Sequence, residues 1–598
     1  MTIKPVGQLK SFSRSFYVNI IVCLSFAAAV YVLVLNIFTT SRVLCDELEF
    51  NFYCKDLFIV NILYLAAGLF LFYALPKTGF VKKIRDYLNI PRNLFIFKAL
   101  ILSLIFVFGI ILIFISDYRQ VYDSRSILEA VEGLHSGDYS SFMHLGYLDI
   151  YPHLNGLVIF YYLLSLVAGN NLETVIMVIN LIFLVLLYEE LSAIGKRLGL
   201  GGTGQLLILF LGLIYLPLFL YILIVYGNIE GLAFCMLTIR FLLDFVNSSG
   251  RKECIIKGSL AVIFAGLACL FKQNSFVMIA ALIIWLIFRC LSSGRYLKMI
   301  PTACLIAVMA ASSLIPGQIL CNISGYKTRG TNYMSYLAMG ASEDTQNFAG
   351  GYNGFNAFSF VELDGDKKAQ GELSTKIYKE RVETFLSDPA YMLNFMTRKQ
   401  VHQWSDPTYR ANRSIQVMEE GPSNSSFMHA LTGRVSTYVQ SFVYEPYQLL
   451  VWTGVALFLW INCKRKDDLF ADGLIFPLIF LGGFIFHTFW EAKSPYAYHY
   501  FISLIPAAVI GLRDFGIKAG ELKKKAAKTD LKHMTFSWSY RFTVAAVTII
   551  LLLAAVAGLS SMRLQLNVET EEYKKYAHTG VFVQVEDGED QDTNSISS

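Results

Sequence analysis

The sequence predicts an all-α polytopic membrane protein with about 13 transmembrane helices. Three observations predict it. Of 598 residues, 55% are hydrophobic and only 16% charged, and the mean hydropathy is +0.51, a balance outside the range of ordinary soluble domains. Runs of roughly 16 to 23 residues with few or no charges recur along the chain, each long enough, or nearly so, to cross roughly 30 Å of hydrocarbon as a helix. Between the runs lie basic clusters, the mark of cytoplasmic loops.

In chain order the runs fall at roughly 17–39, 57–75, 95–115, 172–192, 205–225, 228–246, 256–271, 274–290, 299–317, 446–463, 470–489, 496–513 and 541–560. The first follows Lys4, Lys10 and Arg14 but is too long for a signal-peptide core and has no good small-residue cleavage site, so it reads as an uncleaved span. This divides the chain into a two-helix membrane extension (1–94), a transmembrane core (95–317) with a first external loop at 116–171, an external segment (318–445), C-terminal helices (446–560) and a tail (561–598). The tail ends "VEDGEDQDTNSISS", acidic and without a hydrophobic pattern, and is expected to be disordered. The ten cysteines include no C-x-x-C pair, and most lie in apolar runs, where Cys acts as a small hydrophobe. Cys45 and Cys54 share one short loop, too little to assign a disulfide.

A further apolar segment, "GLVIFYYLLSLVAG" at 156–169, decides the topology. It is short for a span. Treated as a surface or re-entrant helix, it leaves the clusters around Lys82/Lys83, Lys196/Arg197, Arg251/Lys252, Arg295/Lys298, Lys464/Arg465 and Lys523/Lys524 on the side of the basic N-terminus, the cytoplasm. The C-terminus then lies outside. The expected setting is a plasma membrane, bacterial by the resemblance given below, with the lipid bilayer as partner and no feature pointing to nucleic acid.

With this topology the ionisable residues gather at outer helix ends: Asp117, Arg119, Asp123, Arg125, Glu230, Lys272, His487, Glu491 and Lys493. The helix centres are almost free of charge. Arg240 and Asp244, spaced i,i+4 near a cytoplasmic helix end, are expected to snorkel or pair locally. A secondary transporter keeps ionisable groups and broken helices near the midplane, often in two related halves; a transporter or flippase of lipid-linked sugars is therefore the alternative reading. Charges at the membrane's lip suit a site where a lipid-borne substrate meets a water-borne one.

The first loop reads "SDYRQVYDSRSILEAVEGLHSGDYSSFMHLGYLDIYPHLNG". An aspartate directly after a span, a G-D-Y turn and a Y-P-H element opening a membrane-hugging helix resemble the C-type (GT-C) superfamily of membrane glycosyltransferases. The branch it resembles most is the protein mannosyltransferase and aminoarabinose transferase group, above all its Gram-positive relatives. Further matches are "FKQNSFVMIAALI" (271–283), "MGASEDTQNFAGGYNGFN" (339–356), "QWSDPTY" (403–409) and "WEAKSPYAYHYFISLIPAAVIGL" (490–512). The resemblance spans about 95–515. It departs from the group at Tyr118, where the usual acidic pair has its second acid, and at His153, where a second proline is common.

The resemblance implies a GT-C-like first external loop with surface helices, a larger mixed or helical external segment, and sugar transfer from a polyprenyl-phosphate donor to an extracytoplasmic acceptor, with inversion. A carboxylate near the attacking hydroxyl acts as general base; Asp117 is the first choice and Asp123 the second. Fixed positive charge for the leaving phosphate comes from Lys272, Arg119, Arg125 or Lys493. His153, Gln273, Glu491 and Tyr496 complete the expected substrate contacts. His153, His487 and His499 do not form a metal-ligand spacing, so no cofactor is required, although a divalent cation held by carboxylates stays open. So do plainer roles: Asp117 capping the next helix, Lys272 snorkelling, Glu491 and Lys493 forming an interfacial pair, and "QWSDPTY" building a turn. From Glu372 to Gln403 the pattern predicts two amphipathic helices broken at Asp388–Pro389, roofing the cleft, and "GGYNGFN" a loop for sugar contact.

Overall fold

A computed structural model describes residues 5–44, 50–343, 349–416, 425–463, 465, 467–526 and 538–562. Cys45 and the acidic tail lie outside them. Among the described residues, ten helices are long and apolar enough to cross a membrane, eleven if the pair Ser494–Ser503 and Ile505–Glu521, bent by 52°, counts as one span. The protein is thus an all-helical polytopic membrane protein.

The difference from about thirteen has a physical origin in two of the expected runs. The run at 205–225 breaks where Tyr215 leaves helical geometry ahead of Pro217, giving a 13-residue helix, Gly202–Ile214, and a 6-residue one, Leu216–Tyr221. The run at 228–246 is one helix, Asn228–Asn247, but carries Glu230, Arg240 and Asp244 and is buried along nearly its whole length. The irregular backbone after Tyr221 must satisfy its polar groups inside the protein. Asn180 Nδ2 donates to the carbonyls of Ile222 (3.0 Å) and Ile224 (3.2 Å). Gln120 Nε2 donates to Leu223 O (2.8 Å), and its Oε1 accepts from Val225 N (3.0 Å). The first loop is thereby tied to the broken helix.

The 156–169 segment forms the helix Asn155–Ala168, and the next, Leu172–Arg197, follows after one 3-10 turn. Together, Pro152–Arg197 is an apolar stretch of 46 residues, about 70 Å at helical rise, so hydrocarbon of roughly 30 Å can enclose less than half of it. Arg240 and Asp244 do not pair with each other. Arg240 Nε sits 3.0 Å from Glu190 Oε2, and Asp244 takes both Nε and Nη2 of Arg197 (2.5 and 2.7 Å); two packed helices exchange their charges.

A small antiparallel ribbon, Thr39–Leu44 with Phe50–Lys55, departs from pure helix. It caps the first two spans, with Ser41 N donating to Ser405 O (3.0 Å). Beyond the Ile300–Ser324 helix, the chain builds Tyr333–Ala341, Phe355–Glu362, Lys367–Ser387 and Pro389–Trp404. The break expected at Asp388–Pro389 is present: Asp388 accepts from Tyr391 N (2.9 Å) and Pro389 opens the second helix, the usual pairing of cap and N1 proline. The two helices differ in depth. Lys367–Ser387 is largely exposed, whereas Thr397 through Trp404 is buried against the first, last and Ile475–Phe489 spans. Gln403, expected in an outer segment, is therefore a core residue.

Candidate functional site

The first loop opens at Ser116, after the Pro91–Ile115 helix, and enters the Tyr122–Ser136 helix. Asp123 lies in that helix's first turn, where a carboxylate complements the dipole. Although exposed, it is held: the Tyr147 hydroxyl donates to its Oδ1 (2.8 Å), and Tyr226 is a second phenol interacting with it. Burial and then the Asp123 charge raise the Tyr147 and Tyr226 hydroxyls well above the usual phenol range, so both stay protonated and can donate.

Lys272 ends the Arg251–Phe271 helix in extended geometry. Its Nζ stands 3.8 Å from the centroid of the Tyr226 ring, a cation–π distance. Burial pulls its ammonium down to about 7; Asp123 and Glu230 oppose the shift and the Lys493 charge adds to it. His153 feels both Lys272 and Asp123. Lys493 Nζ lies 5.1 Å from the Tyr352 ring, whose hydroxyl meets that of Tyr151 at 3.2 Å. Glu491 is buried and accepts from the Tyr496 hydroxyl (2.8 Å).

The structure thus gathers Asp123, His153, Lys272 and Lys493 into one cluster with Tyr147, Tyr151, Tyr226 and Tyr352, and Glu491 pairs with Tyr496 on either side of Lys493 in the chain. Gln273 is exposed beside Lys272. Asp117, Arg119 and Arg125 stand apart. Asp117 is exposed at φ 51° and makes no hydrogen bond or ion pair among the described residues, capping included. Arg125 pairs with Glu129 (2.9 Å), and both arginines act on Glu173. "QWSDPTY" is a buried turn: Asp406 accepts from the amides of Thr408 (2.9 Å) and Arg410 (2.6 Å) and from Ser494 Oγ (3.1 Å).

Two supports were not foreseen. Lys399, fully buried, donates to the carbonyls of Gly340 (2.5 Å) and Thr488 (3.0 Å). Gly350 must be glycine here: its φ is 66°, and a Cβ would meet Gly340 O at 2.5 Å and Lys399 Cδ at 2.7 Å. Its carbonyl accepts from Ala492 N (2.8 Å), so the Gly-rich loop fixes the backbone between Glu491 and Lys493. Asp149 is the second support. It accepts from Leu145 N (3.0 Å), Arg329 N (2.7 Å) and the Arg329 guanidinium. Burial pushes its carboxyl up, but Arg329 and the backbone bonds outweigh this and hold it below the usual range. An acid among apolar neighbours in "GYLDIYPH" is the signal that could have found it. Arg329→Ala is expected to lower stability by about 2 kcal/mol, because it takes the paired cation from a buried carboxylate and leaves it only its two backbone amides; thermal unfolding in detergent measures this.

Among the described residues no three His, Cys, Asp or Glu side chains converge as a metal site.

Fold and site define a polytopic helical membrane protein with a cluster of charged and aromatic side chains at one end of its helices. No protein-family model and no curated protein matches the chain. A solved structure similar to it is that of the Archaeoglobus fulgidus oligosaccharyltransferase in complex with Zn and sulfate, at 14% identity and a TM-score of 0.31, over 71% of this chain and 47% of that one. The chain spans about half the length of that structure, a likeness too distant to bear on function.

Proposed function

We propose that the chain is a membrane glycosyltransferase that moves a sugar from a polyprenyl-phosphate donor to an extracytoplasmic acceptor, with inversion. The observation that supports it most is one carboxylate, Asp123, sharing a cluster with the cations Lys272 and Lys493 and a set of tyrosines. The reaction needs those groups. An acceptor hydroxyl attacks the anomeric carbon, a carboxylate takes its proton, and the bond to the lipid phosphate breaks, leaving negative charge that fixed cations stabilise. In this reading Asp123 is the base, displacing Asp117 from first choice, and Lys272 and Lys493 receive the phosphate. Tyr151, Tyr226 and Tyr352 offer ring faces to the sugar. The test is transfer in liposomes from radiolabelled polyprenyl-phosphate sugars. Release of labelled product from one donor supports the reading; well-folded protein that translocates such lipids and transfers nothing overturns it.

The reading also requires the cluster to face outward. Single cysteines at Lys368, exposed on the Lys367–Ser387 helix, should label from outside intact cells. Cysteine at Lys196, at the opposite end of the Leu172–Arg197 helix from the cluster, should label only after permeabilisation. The reverse pattern would sink the outward orientation.

A further inference from the structure

The Phe58–Ala74 and Pro91–Ile115 spans are joined by a ten-residue helix, Gly79–Leu88, too short to cross a bilayer. The first span ends in a 3-10 turn, Leu75–Lys77, that carries Pro76, and Thr78 caps the short helix, its hydroxyl accepting from Val81 N (3.2 Å). At helical spacing Phe80, Ile84 and Tyr87 share one face, Lys83 and Arg85 stand at its two borders, and Lys82 lies opposite. Leu88 turns inward and is buried where a Cβ on Gly202 would meet its own Cβ at 3.2 Å. The rest of the apolar face is uncovered: Phe80 is 73% exposed, Tyr87 52% and Ile84 37%. That face runs into the exposed side of the next span. The Tyr87 ring stands edge-on to Phe97, centroids 6.2 Å apart, and Phe95, Ile96 and Leu100 beside it are exposed. From Lys77 to Arg92 the segment has five basic residues against one acid, Asp86, and Arg85 approaches that acid only to 3.8 Å.

We propose that Gly79–Leu88 is an interfacial helix that binds anionic phospholipid headgroups. Phe80, Ile84 and Tyr87 sit at the boundary between headgroups and acyl chains, and Lys82, Lys83 and Arg85 face the lipid phosphates. The occupant is the protein's own bilayer because spans tie down both ends of the helix at its surface, the apolar face is continuous with a lipid-facing span, and the basic border complements a negatively charged leaflet. The helix lies at the opposite end of the Pro91–Ile115 span from Asp123, so the inference does not rest on the proposed reaction.

The test is hydrogen exchange, followed by mass spectrometry, on the full chain in nanodiscs of phosphatidylcholine alone or of an equal mixture with phosphatidylglycerol. Residues 79–88 of wild type should exchange several-fold more slowly in the mixed discs, and high salt should remove the difference by screening. A Lys82→Gln/Lys83→Gln/Arg85→Gln variant, which keeps good helix formers, should exchange alike in both. Phe80→Gln should speed exchange in both; no change there overturns the seating of the apolar face. Equal exchange of wild type in the two compositions overturns the inference, as does a slowing that survives the three substitutions, which would place the lipid elsewhere. Protection that instead grows with protein concentration in detergent would assign the face to a second copy and overturn it too. The Asn228–Asn247 helix, buried along nearly its whole length, reports folding in the same spectra. Should the triple variant fail to fold, the salt series on wild type decides.

Discussion

Asp123→Asn is expected to reduce sugar transfer by about 10²- to 10⁴-fold, the contribution of a general base, while Asp117→Asn keeps most of the activity. Asparagine preserves the shape of Asp123 and can still accept from the Tyr147 hydroxyl that holds Oδ1 at 2.8 Å; what it cannot do is take the acceptor's proton. A loss without misfolding therefore isolates the chemistry from the architecture. At Asp117 the substitution is conformationally mild. The backbone there sits at φ 51°, a left-handed geometry that Asn tolerates as Asp does, and the side chain has no partner among the described residues. The comparison is made on liposomes with one donor, the proteins matched by monodispersity and thermal midpoint. If Asp117→Asn is dead and Asp123→Asn turns over, the base assignment reverses, and the first acid after the span regains the role that the resemblance alone gave it.

The choice between those acids shows where the sequence stops being legible. Apolar run length fixed most spans, because about twenty apolar residues have few fates other than crossing a bilayer. It failed where irregular backbone is satisfied from afar: nothing near Tyr215–Tyr226 says that Asn180 and Gln120 will supply the missing hydrogen bonds. The Asp388–Pro389 break was legible because cap and N1 proline are local chemistry. The burial of Gln403 was not, because it depends on which helices close over Pro389–Trp404. Charge pairing was the least legible. The i,i+4 spacing of Arg240 and Asp244 offered a local partner, yet each found a carboxylate or guanidinium on the neighbouring helix, since at a packed interface a partner across the groove is as near as one a turn away. The same applies to the cluster. Asp123, Lys272 and Lys493 stand far apart in the chain, and their order and shared side suggested proximity that only the fold could supply. Lys399 and Asp149 bear on the cluster wholly through such contacts, and only residue type in an apolar setting hinted at them.

Lys272 carries the second large expectation. Its ammonium sits near 7 because burial removes water and Lys493 repels it, against the attraction of Asp123 and Glu230. A lysine is charged below its pKa, so the cation that would receive the leaving phosphate is present at acid pH and is lost as pH rises through about 7. The expected result is an alkaline limb in kcat/KM, which reports the free enzyme, with its midpoint near that value. Lys272→Met should lower transfer by about 10²- to 10³-fold on the acid side, the usual consequence of deleting one preorganised charge at a leaving oxyanion, and should flatten the limb. Lys272→Arg separates charge from geometry. A guanidinium stays charged over the whole range, so the variant should lose the limb even if its broader head lowers the plateau rate. Were the wild-type limb to persist unmoved in Lys272→Arg, the titrating group would lie elsewhere, and the phosphate-facing role would pass to Lys493, which sits in the same cluster beside Tyr352.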